Sequence, residues 1–214
     1  PISIREQYEV LTELSRIALE MKDKEESYRY ANEARRLDPR RAGAYNRRGQ
    51  DQEFEGKTDK AIVEYERAEH VEPTDPESYA RRSLLEEKAG HLAQAERLLK
   101  TAIQRNPHSS TARRNLGEFY LRQSRKADAL RELQAAVRIG PTDAHSWLSL
   151  GDAFRALGRK SDAIGAYDKA ASIDETLSAA NERAGDVRVE IGKKREALEN
   201  YRNALRFDHE NDKL

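Results

Sequence analysis

Apolar side chains recur along this chain on one helix face at a time, and the pattern then begins again. Between residues 144 and 177, Trp147, Leu150, Gly151 and Phe154 stand at i, i+3, i+4 and i+7, which gathers them into one stripe on a helix. Gly158 breaks that helix, because glycine takes the positive φ that a tight reversal needs. A second stripe follows in Ala163, Ile164, Tyr167, Ala170 and Ala171. The stretch reads as two helices joined by a turn.

The unit is one of six. Alanine returns at a constant step of 34 residues, at Ala34, Ala68, Ala102, Ala136, Ala170 and Ala204. Seven residues before these stand Ser27, Ala61, Ala95, Ala129, Ala163 and Ala197. Another column, Ser15, Gly49, Ser83, Gly117, Gly151 and Gly185, holds only Gly or Ser and marks where helices cross closely. Lys22, Gly56, Gly90, Ser124, Gly158 and Gly192 occupy the turn inside each unit, and Pro39, Pro73, Pro107 and Pro141 end the second helix. The register gives repeats at about 8–41, 42–75, 76–109, 110–143, 144–177 and 178–211 in a single array over 1–214.

Trp147, Leu150, Gly151, Phe154, Ala163, Tyr167 and Ala170 resemble the tetratricopeptide repeat signature, and Leu116, Gly117, Tyr120, Ala129, Ala136 and Pro141 repeat it one unit earlier. The resemblance covers about residues 8–211. It implies an all-α solenoid of six helix-turn-helix repeats in a right-handed superhelix that acts as a protein-binding scaffold, with the first helix of each unit lining a concave face.

Composition agrees with a solenoid. Hydrophobic residues make up 37% of the 214 and charged residues 36%, thin for one large core but sufficient where neighbouring units share theirs. The 39 basic and 39 acidic residues cancel, so neither nucleic acid nor an anionic membrane is an expected partner. No stretch has the length of a transmembrane span, and the opening residues lack the regions of a signal peptide. A chain that opens on proline is expected to be an excerpt or a processed form. The absence of cysteine excludes disulfides and does not choose between the cytoplasm and an oxidising compartment such as the periplasm.

Catalytic and cofactor motifs are missing. His70, His91, His108, His145 and His209 fall at different repeat positions and share no helix face at metal-ligand spacing, so no metal, cofactor or enzymatic activity is expected. Gly56-Lys57-Thr58 looks like the end of a phosphate loop, but Asp51 stands where that loop needs another glycine, and Gly56 reads as the turn glycine.

Function therefore rests on the surface that the first helices build. Positions beside the packing stripe expose Asn46, Arg47, Gln50, Arg81, Arg114, Asn115, Ser149 and Asp152 as candidate partner-binding residues. The middle of this surface is basic and amide-rich. Its C-terminal end, with Asp152, Glu182, Asp186 and Glu190, is acidic. Arginine forks hold carboxylates at two points and Asn side chains hold peptide backbone, which suits an acidic or C-terminal peptide segment. The fixed Lys, Asn, Asn, Lys and Arg clamp by which some relatives hold a chaperone C-terminus is not reproduced. A docking or regulatory segment of a larger enzyme or export machine is the second expectation, and self-assembly through the C-terminal repeat the third.

Two further features stand out. Units two and three carry Arg48, Asp51 and Gln52, then Arg82 and Glu86, where other first helices are apolar, and the spacing of Arg82 and Glu86 predicts that they pair. The last helix has Ala197, Leu198, Tyr201, Ala204, Leu205 and Phe207 in one stripe with few residues after it. One flank of that stripe is expected to need a cover, and Leu198 and Leu205 are expected to divide between seam and exposed flank.

Overall fold

The computed structural model describes residues 2–211, with side chains through Arg206. Within these residues the chain forms helices α1 (Ile4–Glu20), α2 (Lys24–Leu37), α3 (Ala42–Phe54), α4 (Thr58–Val71), α5 (Pro76–Lys88), α6 (Leu92–Arg105), α7 (Ser110–Arg122), α8 (Lys126–Ile139), α9 (Ala144–Ala156), α10 (Lys160–Ile173), α11 (Ser178–Glu190) and α12 (Lys194–Asn211), and no strand. It is an all-α helical repeat solenoid. None of these helices is long and apolar enough to cross a membrane.

The helices fall into two compact units that divide after Pro107. In the first, α1 through α6 pack each on the next, and the first helices α1, α3 and α5 also touch in order. In the second, α7 through α12 do the same, with α7 on α9.

Sequence punctuation sets the ends. Asp75, Ser109 and Asp143 precede first helices and accept from the backbone N–H three residues on, satisfying a donor that the first turn leaves open. Ser3 and Glu6 form a full capping box before α1. Every turn inside a unit has one residue in the left-handed region: Lys22, Gly56, Gly90, Ser124, Gly158 and Gly192, with φ from 57° to 83°. There the chain closes with paired bonds such as Arg159 N to Phe154 O and Gly158 N to Arg155 O, both 2.9 Å, which satisfy the last carbonyls of α9.

The small columns sit at the crossings. All six repeat alanines are buried, and a Cβ at Gly151 would overlap the edge of the Tyr167 ring at Cε1 and Cδ1. Leu148, Ala163, Tyr167, Ala170, Ala180, Ala184 and Val187 form one core, with Trp147 and Phe154 against it. At the proline turns, Tyr45, Tyr79 and Trp147 share a column and donate to the carbonyls of Pro39, Pro73 and Pro141 at 3.2, 3.3 and 2.9 Å.

Two expectations are corrected. Arg82 does not pair with Glu86: it reaches across to Glu69 and Glu66 of α4 at 2.7 and 3.1 Å, and Glu86 meets His91 at 2.8 Å. The Arg82 side chain is only 13% exposed, so the carboxylates of the helix it packs on compete better than a neighbour on its own surface. Leu198 and Leu205 do not divide between seam and flank; they are 50% and 56% exposed, because Ala197, Tyr201 and Ala204 take the side toward α11. Phe207 and His209 lie outside the described side chains.

Candidate functional site

In the first unit, α3 and α5 carry a chain of polar contacts. Arg47 Nη1 donates to Gln50 Oε1 at 2.6 Å, and Gln50 Nε2 donates to Glu77 Oε1 on α5 at 2.8 Å. Arg81, one turn beyond Glu77, brings its Nε to 3.7 Å from the same oxygen. The expected basic patch is therefore laced with a carboxylate. Arg47 and Glu77 line a shallow hollow of about 160 Å³ together with Tyr8, Thr12 and Arg41.

Asn46 is not on this surface. It is 1% exposed and donates from Nδ2 to Asp75 Oδ2 at 2.8 Å, the carboxylate that also caps α5 through Ser78 N at 3.3 Å. A buried amide needs a partner, and the cap of the next first helix supplies it. Gln50, 7% exposed, is likewise held between helices.

In the second unit, Arg114 holds the repeat position of Asn46. Its Nε lies 4.0 Å from Asp143 Oδ2 and its Nη1 3.5 Å from Glu118 Oε1, while Nε has no hydrogen-bond acceptor among the described residues. Ser149 on α9, itself buried, donates to Glu118 Oε1 at 2.6 Å. Asp152 accepts from the Tyr167 hydroxyl at 2.8 Å and from Arg183 on α11. Burial pushes its carboxyl above the usual range, against the pull of these two donors. Asn115 is half-buried beside Arg114. Arg114, Glu118, His145, Ser149, Asp152 and Arg183 line a pocket of about 300 Å³.

The expected acidic end is largely neutralised. Asp152 is met by Arg183, Asp186 by Arg155 at 3.5 Å, and Glu190 by Arg155 and Lys160 at 2.7 and 3.1 Å. Arg183 stands on the first-helix face of α11, whereas Arg155 and Lys160 come from the last turn of α9 and the start of α10, outside the positions read from the first-helix faces.

Among the described residues no group of three or more His, Cys, Asp or Glu is placed to hold a metal ion. What the surface offers is guanidinium forks, amides and hydroxyls. The residues that sequence reasoning missed are Glu77 and Asp143. The spacings of Glu77 to Arg81 and of Arg114 to Glu118 were visible as i, i+4 pairs.

Stacked helix pairs with small residues at the crossings and a left-handed residue in each inner turn define a helix-turn-helix repeat protein. The model of the tetratricopeptide repeat matches this chain at residues 81–144 and 130–178. No curated protein matches the sequence. Among solved structures, MamA is 24% identical, covering 78% of this chain and 97% of its own, with a TM-score of 0.62. Yeast Tom70 is 17% identical over 89% of this chain and 42% of its own, at 0.77. Pseudomonas aeruginosa pilF is 16% identical over 99% of both chains, at 0.64. These likenesses are likenesses of fold.

Proposed function

We propose that this protein is an interaction scaffold whose first-helix faces bind an acidic segment of a protein partner, through Arg47 and Arg81 in the first unit and Arg114 and Asn115 in the second. The repeat fold supports protein–protein interaction in general, and proteins of this kind are generally non-catalytic. The observation that carries the finer reading is the loose pairing of Arg81 and Arg114. Their internal carboxylates lie at 3.5 to 4.0 Å, beyond good hydrogen-bond geometry, so a partner carboxylate gains two-point contacts that the protein does not already make. Both side chains keep access to solvent, at 39% and 22%.

Charge reversal tests this reading. Arg81→Glu and Arg114→Glu are each expected to weaken binding of a Glu/Asp-rich peptide by about tenfold or more while the helical circular dichroism stays unchanged. Unchanged affinity in both variants contradicts it.

Self-association is a second reading, favoured by the exposed Leu198 and Leu205 on α12 and by Val10, Leu14 and Ile17 along α1 and Met21 at its C-terminal cap, 36% to 74% exposed. Light scattering across concentrations tests it: mass that rises with concentration and falls in Leu198→Glu/Leu205→Glu supports it, and a constant monomer mass opposes it.

A further inference from the structure

The exposed apolar residues of α1 and α12 occupy the two sides of one repeated seam. Inside the second unit, Ile164 and Ala171 of α10 pack against a core that contains Ala180, Ala184 and Val187 of α11. Leu198 and Leu205 of α12 stand one repeat after Ile164 and Ala171, in the same two columns, and are exposed. Val10, Leu14 and Ile17 of α1 stand five repeats before Ala180, Ala184 and Val187, and they too are exposed.

Elsewhere these columns are buried. Ala44, Ser78, Ala112, Ser146 and Ala180 share the column of Val10 and are each at most 1% exposed, against 52% for Val10. The first unit uses the same columns, since Ile62, in the column of Leu198, packs on a core that contains Leu85, in the column of Ile17. A second helix and the first helix after it therefore meet through these positions in both units. Exposed apolar stripes of this kind mark interaction surfaces.

Charge matches in the same register. Within about 60° of Leu198 around α12 stand Lys194, Arg195 and Arg202, all exposed, and no acid among the described side chains. The column of Arg202 already carries ion pairs across inner seams, where Asp168 meets Arg188 at 2.7 Å and Glu66 meets Arg82 at 3.1 Å. The α1 side is acidic. Glu6, Glu13 and Glu20 line one edge of its apolar stripe, and the helix holds four glutamates to two arginines. Arg16 answers Glu13 and Glu20, which leaves the excess negative.

We propose that these faces receive a second copy of the chain, α1 of one copy taking on α12 of another the place that α11 takes on α10. Leu198 then lies against Ile17 and Leu205 against Val10, with the cations of α12 beside the glutamates of α1. The proposal rests on the self-association reading and adds which two faces meet. Because the faces differ, the contact is heterologous.

The test mixes two variants of the intact chain, each blocked on one face: Val10→Glu/Ile17→Glu on α1 and Leu198→Glu/Leu205→Glu on α12. All four side chains are exposed, so helical circular dichroism should stay close to that of the wild type. In analytical ultracentrifugation the wild type should associate and each variant alone should stay monomeric. Their equal mixture should give a dimer, since one variant keeps the α12 face and the other the α1 face. Should a charged variant lose helicity, disulfide trapping decides, because the chain has no cysteine of its own. Ile17→Cys mixed with Leu198→Cys should then give the mixed dimer in preference to either homodimer. A wild type that remains monomeric throughout removes self-association and this proposal together. Association that persists in either blocked variant alone, a mixture that stays monomeric, or homodimer trapping in preference to the mixed dimer leaves self-association standing and overturns this assignment of faces.

Discussion

Arg183 of α11 donates to Asp152 of α9, and the same relation stands one repeat earlier, where Ser149 of α9 donates to Glu118 of α7. In both cases an acid on one first helix is bound by the residue 31 positions later, on the next first helix. The seams between first helices are thus built from polar pairs laid over a core of small residues. In the later seam the acid also holds the Tyr167 hydroxyl.

Removing Asp152 should therefore cost more than an exposed ion pair does. Asp152→Ala leaves the hydroxyl of the buried Tyr167 without its acceptor, at about 1–3 kcal/mol. Tyr167→Phe made in the same background should recover part of that loss. Urea denaturation of the two single variants and the double should show a coupling of about 1 kcal/mol; additive effects would mean that the pair does not act together.

Gly151 touches the same tyrosine from the other side. A methyl group there overlaps the Tyr167 ring, so Gly151→Ala should destabilise by about 1–3 kcal/mol although alanine is the better helix former. Because each helix pair packs only on its neighbours, hydrogen-exchange protection should fall first in α9, α10 and α11. A uniform loss along the chain is the contrary result.

Lys22 and Ser124 hold the left-handed turn position that glycine fills in the other four units, at φ of 63° and 57°. A side chain there costs about 1–2 kcal/mol. Lys22→Gly and Ser124→Gly should each raise stability by about 1 kcal/mol, less the added freedom of the unfolded chain, which thermal unfolding would detect. No gain in either variant would show that the turns tolerate the side chain without strain.

Burial pushes the Asp51 carboxyl up to about 6, against the Ser27 hydrogen bond and the attraction of Arg47 and Arg48, and with Glu55 adding to the rise. In the unfolded chain it titrates near 3.8. Between these values the folded state binds the extra proton, so stability should fall as pH rises from about 4 to about 6, by up to about 3 kcal/mol, and then level off. Glu69 and Asp152 are shifted in the same direction, so the contribution of Asp51 is the part of this slope missing in Asp51→Asn. An identical pH profile in that variant would show that Asp51 titrates normally.

Much of this was legible in the sequence because the repeat averages its own signal. The turn column from Lys22 to Gly192 and the buried alanines were readable from spacing alone, since each reflects backbone geometry or contact size within one unit. Partner choice was less legible. Asn46 sits beside the packing stripe like Arg47, and only the Asp75 cap of the next unit decides that one is buried and the other lines a hollow. Arg82 chose carboxylates on α4 over Glu86 for a similar reason, and Arg155 and Arg183 offset an acidic end that looked uncompensated. Asp51 and Arg48 were visible as charges in apolar positions, but the cavity they line depends on how α2 and α4 close around α3.

The central claim is that the first helices bind an acidic partner segment. The most direct measurement is ¹⁵N chemical-shift mapping with a Glu/Asp-rich peptide against a Lys-rich peptide of equal length. The account predicts shifts from the acidic peptide that cluster around Arg47 and Arg81 on α3 and α5 and around Arg114 and Asn115 on α7, with little from the basic one. Shifts confined to the second helices, or indifferent to peptide charge, would contradict it.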